Sequence, residues 1–431
     1  MLLRFKIKNF LSFYNETVFD MFPNVKREKF SHHIYANMEV PLLKQAVLYG
    51  ANGSGKSNFI KAISFLRDFV LQDNFLNKID LDDYIFQLAQ EKEEKISFEI
   101  EIFHDEQYYI YGVGIDKKEI SERLSVSGLN KTDDKVIFER QGTNIKSSGL
   151  INKGSVIHLL MLNPRSSLLP LNLRFPVLTG DDPKKICDWF SKQLEVVSIN
   201  SPKPNLIDIF SQQPLLNFAN EVFENIGIGI NSLNIGNTPL DKWIVDKRVD
   251  AGLQNILTQN SEQNFGAYKN GRYVLKISAQ NGIKTVQELL FNQLGQSGYH
   301  KEMKISAQSD GTVRLLTLIP ALYGAMYQNK IIFIDEIDNS IHPNLMFELL
   351  RFYANSKSNG QLIFTTHTSN LLNQQELVRP DEIWFTEKSE GSTRMYSLND
   401  FKLHNTLNIE NGYLDGRYGG APVIEEFNIE E

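Results

Sequence analysis

Residues 50–57 read Gly50-Ala51-Asn52-Gly53-Ser54-Gly55-Lys56-Ser57, the spacing G-x-x-x-x-G-K-[ST]. Glycines so placed let backbone N–H groups turn inward on a phosphate. A helix starting at the loop's end offers its positive end to the same anion. Gly50, Asn52, Gly53, Ser54, Gly55 and the following Asn58 are therefore candidate phosphate-loop residues. Lys56 would reach the β- and γ-phosphates of a nucleotide, and the Ser57 hydroxyl would ligate Mg2+. A second group is IIFIDEIDNSIHPN, four apolar residues followed by Asp335 and Glu336. Asp335 suits the outer shell of Mg2+, and Glu336 suits the base that polarises an attacking water. Many strands end in acids, so the pair gains meaning only beside the glycine loop. A third is QLIFTTHTSN, in which an apolar run delivers His367, able to contact a γ-phosphate or the water. The fourth, AQSDGTVRLLTLIPAL, places Ser309, Asp310, Gly311 and Thr312 before a helix. Ser or Asp is a good N-cap there, and the same helix end could be an anion site aimed at another protomer's nucleotide.

Strands and helices must position these groups. Residues 45–50 read as a short apolar strand entering the loop, and Phe59, Ile63, Leu66 and Val70 fall on one face of a following helix. Residues 331–335 and 361–366 read as buried strands, with helices over 311–327 and 343–356. Leu3, Phe5 and Ile7 alternate along a strand, a turn occupies 12–16, and Thr17-Val18-Phe19 begins a second strand. ISFEIEIF and YYIYGVGI flank the turn HDEQ as a hairpin, short β-like segments follow over 120–160, and IWFTEK with TRMYSL forms a last hairpin. Between these ends, 182–290 carries helical patterns. Asp182–Leu194 has Asp182 as N-cap and Pro183 at the first helical position, and Leu215–Ile226 is a second helix. Residues 259–272 read as a polar loop, and the stretch from Lys402 as irregular with an acidic end. The expected division is an N-terminal lobe over 1–181, a mainly helical insertion over 182–290 and a C-terminal lobe over 291–431.

The 431 residues, 42% hydrophobic and 23% charged, are enough for a large core without disulfides or structural metal. One cysteine, Cys187, excludes an internal disulfide, and a reducing cytoplasm is the simplest expectation. The N-terminal MLLRFKIKNFLSF alternates apolar and basic residues, unlike a signal peptide, and no apolar run is long enough to span a bilayer. A net charge of −7 argues against a surface devoted to nonspecific DNA binding, without excluding a local basic patch. Sustained heptads are absent from the pattern, so no long coiled-coil arm is expected.

Taken in order, the glycine loop, the short S-x-G-T before a helix, the apolar strand ending in Asp-Glu and the histidine after the next strand resemble an ABC-type ATPase head of the SMC class. The resemblance implies an α/β fold with a RecA-like core sheet plus an antiparallel β subdomain. It implies ATP and Mg2+ as cofactors, and a head-to-head homodimer or larger homo-oligomer in which the signature of one copy closes on the ATP of another. Ser309 and Gly311 would stand at the signature serine and second glycine. Asp310 departs from the pattern, being an acid where ABC transporters have glycine. Asn339-Ser340-Ile341-His342 would match the D-loop, and Gln87 is the candidate for the Mg2+-sensing glutamine.

NFLSF, GANGSGKSN, SDGTVR, DEIDNSIHP, TTHTSNLL, RPDEIWFTEK and GRYGGAP together are similar to compact ABC-type ATPases of bacterial anti-phage and abortive-infection loci. Among these are the ATPase subunit of the PARIS system and related ATPases of Septu-type and retron-associated systems. The motifs cover both ends, about half of the chain. The resemblance implies an ATP-controlled switch that restrains a separate effector, often a nuclease, until a phage trigger protein releases it. The chain reads as an ATPase without a fused effector: there is no Cys/His cluster at zinc spacing. A ribonuclease-like R-x-x-x-x-H at Arg27–His32 lies in a polar segment where a nuclease helix is not expected. An SMC- or repair-like clamp on DNA and a transporter subunit share the same head. The first would call for an arm or a basic surface, the second for a membrane partner.

Overall fold

Four apolar runs, QAVLY, LEVV, IIFI and QLIFT, pair side by side in parallel, the arrangement expected of strands buried on both faces. The computed structural model describes residues 1–90, 93–129, 131–147, 165–174, 178–198, 204–247, 263–268, 273–280, 283–402 and 408–421, with the single positions 149, 154, 158 and 161. The strands are β1 (Leu2–Lys8), β2 (Thr17–Asp20), β3 (Ile34–Tyr35), β4 (Leu42–Leu43), β5 (Gln45–Tyr49), β6 (Ile96–His104), β7 (Gln107–Ile115), β8 (Ile120–Val126), β9 (Lys135–Gln141) and β10 (Asn144–Ser147). They continue as β11 (Leu194–Val197), β12 (Ile230–Pro239), β13 (Gln263–Tyr268), β14 (Tyr273–Gln280), β15 (Ile283–Leu294), β16 (His300–Lys304), β17 (Ile331–Ile334), β18 (Gln361–Thr365), β19 (Ile383–Ser389) and β20 (Ser392–Ser397). The helices are α1 (Lys56–Leu71), α2 (Leu168–Arg174), α3 (Asp182–Asp188), α4 (Gln213–Ile226), α5 (Leu240–Lys247), α6 (Asp310–Tyr327), α7 (Pro343–Asn355) and α8 (Ile409–Leu414).

The chain divides into two units. The first comprises Met1–Val197, Ala325–Ile337 and Leu350–Glu431. It holds a six-stranded sheet in the order β11-β17-β18-β5-β19-β20, parallel except for β20, and a seven-stranded antiparallel sheet in the order β10-β9-β8-β7-β6-β1-β2. Gln361 on β18 ties the two sheets: its Nε2 donates to Leu2 O at 3.0 Å and its Oε1 accepts from Leu2 N at 2.6 Å. Phe59 of α1 is fully buried against Phe5, Phe19 and Phe333. This α/β architecture, a RecA-like core sheet with an antiparallel subdomain, is the expected one. The longest described helix, α6, has 18 residues, so the described residues contain no extended coiled-coil arm.

The second unit, Ser198–Gly324 with Asp338–Leu349, corrects the expected division. Among the described residues of 182–290, α4 and α5 are accompanied by an antiparallel sheet in the order β12-β15-β14-β13, with β16 also pairing β15, where a mainly helical insertion was expected. Period-two alternation carries it. Leu275 and Ile277 point inward onto Leu240, Trp243 and Val286, while Lys276 and Ser278 are half-exposed. β13 falls within the stretch read as a loop. The helix from Asp182 ends at Asp188 and passes through a π-turn, so Leu194 opens β11 instead; Asp181 holds the cap position. Nor is 291–431 one lobe, because 291–324 and 338–349 belong to the second unit. The end of the 120–160 stretch and the acidic end after 421 lie outside the described residues.

The RPDE stretch before β19 is a buried strap. Arg379 and Asp381 pair through two bonds, Nε to Oδ1 at 2.9 Å and Nη2 to Oδ2 at 2.7 Å. Arg379 also donates to the carbonyls of Arg27, Lys29 and Phe30, and Asp381 accepts from Asn24 N at 2.8 Å. Glu382 next to it contacts His33 at 2.9 Å; desolvation raises its pKa, and His33 opposes the shift. The Arg27–His32 spacing thus serves a fastened loop in which His32 is exposed. Arg379→Ala would leave the Asp381 carboxylate buried without its charge partner, keeping only the bond from Asn24 N. It should lower stability by about 3–5 kcal/mol, read as a drop in the urea midpoint; an unchanged midpoint would remove the strap's role.

Candidate nucleotide site

Parallel strands that share a register end on one edge, and ligands of open α/β sheets bind outside such carboxyl ends. In this sheet Ile334 pairs with Phe364, and Thr365 with Leu48, so β17, β18 and β5 finish together. Asp335 and Glu336 follow β17, His367 follows β18, and the glycine loop follows β5. One strand, β18, separates the loop strand from the carboxylate strand. The structure thus brings Gly50–Ser57, Asp335, Glu336 and His367 to the same edge.

Thr365 fixes the Asp335 carboxylate and the Glu336 backbone. Its buried hydroxyl donates to Asp335 Oδ1 at 2.8 Å and accepts the Glu336 N–H at 2.7 Å. Ile337 N returns to Thr365 O at 3.0 Å, and Asp335 N bonds Val197 O at 2.9 Å. Glu336 sits at φ +48°, a left-handed conformation that a glutamate adopts only when its surroundings impose it. Both carboxylates are half-buried, and His367 is exposed.

The loop is equally constrained. Gly50 and Gly55 have positive φ, and a Cβ on either would strike the threonine beside it, Thr386 or Thr393. Thr386 Oγ1 lies 2.6 Å from Ser54 Oγ, and Thr393 Oγ1 lies 2.8 Å from Ser54 O and 2.7 Å from Ser12 Oγ. Asn58 donates to Ser12 Oγ at 2.8 Å, so the NFLSF turn braces the start of α1, and the Asn58 amide is turned to that brace. Lys56 is buried with its ammonium on Gly50 O at 2.7 Å and Ala51 O at 3.1 Å. α1 begins with no side-chain cap and no acid in its first turn. The forgone cap is worth about 1 kcal/mol, whereas burying Phe59 alone contributes about 1.5–3 kcal/mol. Packing therefore holds the helix while its N-terminal donors keep their affinity for an anion. Glycine loop, uncapped helix start, lysine and Ser57 together fit a Mg2+-bound phosphate chain.

The remaining candidates lie elsewhere. Gln87 is exposed, its Nε2 donating to Asp82 O at 2.7 Å and Ile85 O at 3.1 Å in its own turn. Ser309 and Gly311 are in the second unit, where Ser309 Oγ accepts from Thr312 N at 3.1 Å as the N-cap of α6. A Cβ on Gly311 would meet Ser340 O at 2.6 Å, so a glycine is required for the 309–312 stretch to pack on the 339–342 stretch. A groove of about 350 Å³ lies apart from the loop on the antiparallel sheet. Cross-strand charges such as Lys6–Glu99, 2.6 Å apart, line it, the pattern of a solvated sheet face. Sequence reasoning assigned no role to Thr365, Ser12, Thr386 or Thr393. Only their adjacency to the motifs hinted at them.

Fold and site define an α/β P-loop head of the ABC type. The chain belongs to the family described as "AAA domain, putative AbiEii toxin, Type IV TA system", whose profile matches residues 46–159 and 268–373, just over half of its length. No curated protein sequence matches it. Among solved structures, an SMC head bound to the C-winged helix domain of ScpA is 14% identical, covering 93% of this chain and 99% of that one, with a TM-score of 0.48. The SMC head domain from Thermotoga maritima is 12% identical over the same shares, with a TM-score of 0.44. The sheet order and the family define the fold; these distant likenesses add no residue roles. Among the described residues no helix is long and apolar enough to cross a membrane.

Thr365→Val keeps the shape and removes the hydroxyl, leaving the Glu336 N–H and an Asp335 oxygen without it. The expected cost is about 1–3 kcal/mol of stability, measured by urea unfolding, and a neutral result would show that the lock is dispensable.

Proposed function

We propose that this chain binds and hydrolyses ATP with Mg2+, and that ATP-driven self-association makes it a switch controlling a separate toxic effector in bacterial anti-phage defence. The observation that carries the reading is the convergence of loop, acid pair and histidine on one sheet edge in a chain of this family. Lys56 and the loop N–H groups would hold the phosphates, and Ser57, with Asp335, would hold the Mg2+. The metal supplies neutralisation of the phosphate charge. Glu336 takes the proton of the attacking water, and His367 contacts the γ-phosphate or that water. In the self-associated form, Ser309 and Gly311 of one copy face the nucleotide of another, bringing the N-terminal donors of α6 to its phosphates with the acidic Asp310 between them. The family's description, which names an abortive-infection toxin, supports the defence role. The motif set supports a PARIS-like arrangement with a nuclease as effector and a phage protein as trigger.

Lys56→Ala should abolish ATP binding by calorimetry and protection in phage plating; retention of both would refute the reading. Glu336→Gln should bind ATP, accumulate the associated form in sizing experiments and turn over about a hundredfold or more slowly. Equal turnover would remove Glu336 as base. Tight, salt-sensitive DNA binding that stimulates hydrolysis would instead favour a clamp acting on DNA.

A further inference from the structure

The segment Ile409–Ala421, which contains most of the GRYGGAP motif, has no part in the chemistry above, yet it is fastened beside both halves of the site. Asn408 caps α8, its Oδ1 accepting from Asn411 N at 2.8 Å. Glu410, in the first turn, accepts from Ser369 Oγ at 2.9 Å and from Asn373 Nδ2, while Glu410 N donates to Asn373 Oδ1 at 3.4 Å. Ser369–Asn373 is the helical turn two residues beyond His367. Tyr413 packs on Tyr49, the last residue of β5, with ring centroids 5.7 Å apart. Its hydroxyl donates to Gly420 O at 3.3 Å. Burial raises that phenol's pKa, opposed by a hydrogen bond with the Gly50 backbone. Tyr49 in turn donates to Thr368 O at 3.2 Å, which closes the connection between loop strand and histidine segment.

The glycines explain how the segment comes so close. Gly419 and Gly420 have φ +67° and +70°, and a Cβ on Gly419 would strike the Tyr396 hydroxyl and the Glu387 carboxylate. Tyr413 and Tyr418 both stack on Phe385, at 5.5 and 6.0 Å. Tyr396 donates to Tyr418 O at 2.7 Å. The tyrosines are largely buried, so the segment is a packed element on the β19–β20 hairpin and not a loose end.

We propose that Glu410 and Tyr413 are positioning residues of the nucleotide reaction, clamping the His367 segment to the strand that carries the glycine loop. The proposal rests on the ATPase reading, because it makes the geometry of His367 depend on a carboxylate that does not touch the nucleotide. A positioning error costs rate more than affinity. Glu410→Ala should therefore lower kcat about tenfold with ATP affinity within about twofold. Glu410→Gln, which keeps one acceptor oxygen, should recover most of the rate. In a His367→Gln background, Glu410→Ala should add less than about a twofold loss, as expected of residues acting through one another. Hydrogen exchange of residues 366–373 in the nucleotide-free protein should rise in Glu410→Ala and stay near wild type in Glu410→Gln. An equal loss in both backgrounds, a loss of affinity at constant kcat, or unchanged exchange would each overturn the clamp. Absence of ATP turnover in the wild-type chain would contradict the preceding reading instead, and the exchange comparison would still decide whether the clamp exists.

Discussion

Parallel pairing of β17, β18 and β5 is the constraint on which the site depends. Each strand is buried along its whole length and mainly apolar, with Gln45, Gln361 and Thr365 the buried polar exceptions, so its register cannot slip without exposing or burying the wrong groups. Because the strands run the same way, whatever follows each of them emerges on one edge. A glycine loop at 50–57, two acids at 335 and 336 and a histidine at 367, far apart in sequence, become neighbours through this strand pairing. Thr365 refines this coarse placement, since one hydroxyl sets both the Asp335 carboxylate and the Glu336 backbone.

The loop follows the same logic on a smaller scale. Its conformation comes from glycines that tolerate positive φ and from threonines that occupy the space a side chain would need. The hydroxyls of Ser12, Ser54, Thr386 and Thr393 join three stretches distant in sequence around it. The start of α1 is left uncapped, and a helix packed as deeply as this one tolerates that loss. Stability is supplied by the aromatic core, and the N-terminal donors stay suited to an anion. This division of labour links the core of the first unit to the chemistry proposed at its edge.

Much of this was legible in the sequence. The loop, the Asp335-Glu336 strand and the His367 strand each announced themselves through an apolar run ending in a chemical group, and the β1–β2 and β6–β7 pairings followed from alternation. The second unit was harder to read. Its strands alternate with only a few strongly apolar residues, as at Leu275 and Ile277, and the partner of β12 lies far away in the chain, so the helical patterns at Asp182–Leu194 and Leu215–Ile226 dominated the expectation. The supporting residues were also hidden. Thr365 resembles any strand threonine, and Glu410 any exposed acid, until the fold sets Asp335 beside one and Ser369 beside the other. Gln87 shows the opposite limit: a motif-based guess has no local pattern behind it, and the glutamine lies in an exposed turn.

The central claim is that one nucleotide is held jointly by the loop after β5 and the groups after β17 and β18. An experimental structure of the Glu336→Gln protein with Mg2+ and ATP tests it most directly. The account predicts ATP with its phosphates on the 50–57 loop, Mg2+ on the Ser57 hydroxyl, and residues 336 and 367 flanking the γ-phosphate. Nucleotide bound elsewhere, or bound on the loop with residues 336 and 367 turned away from it, would contradict the account.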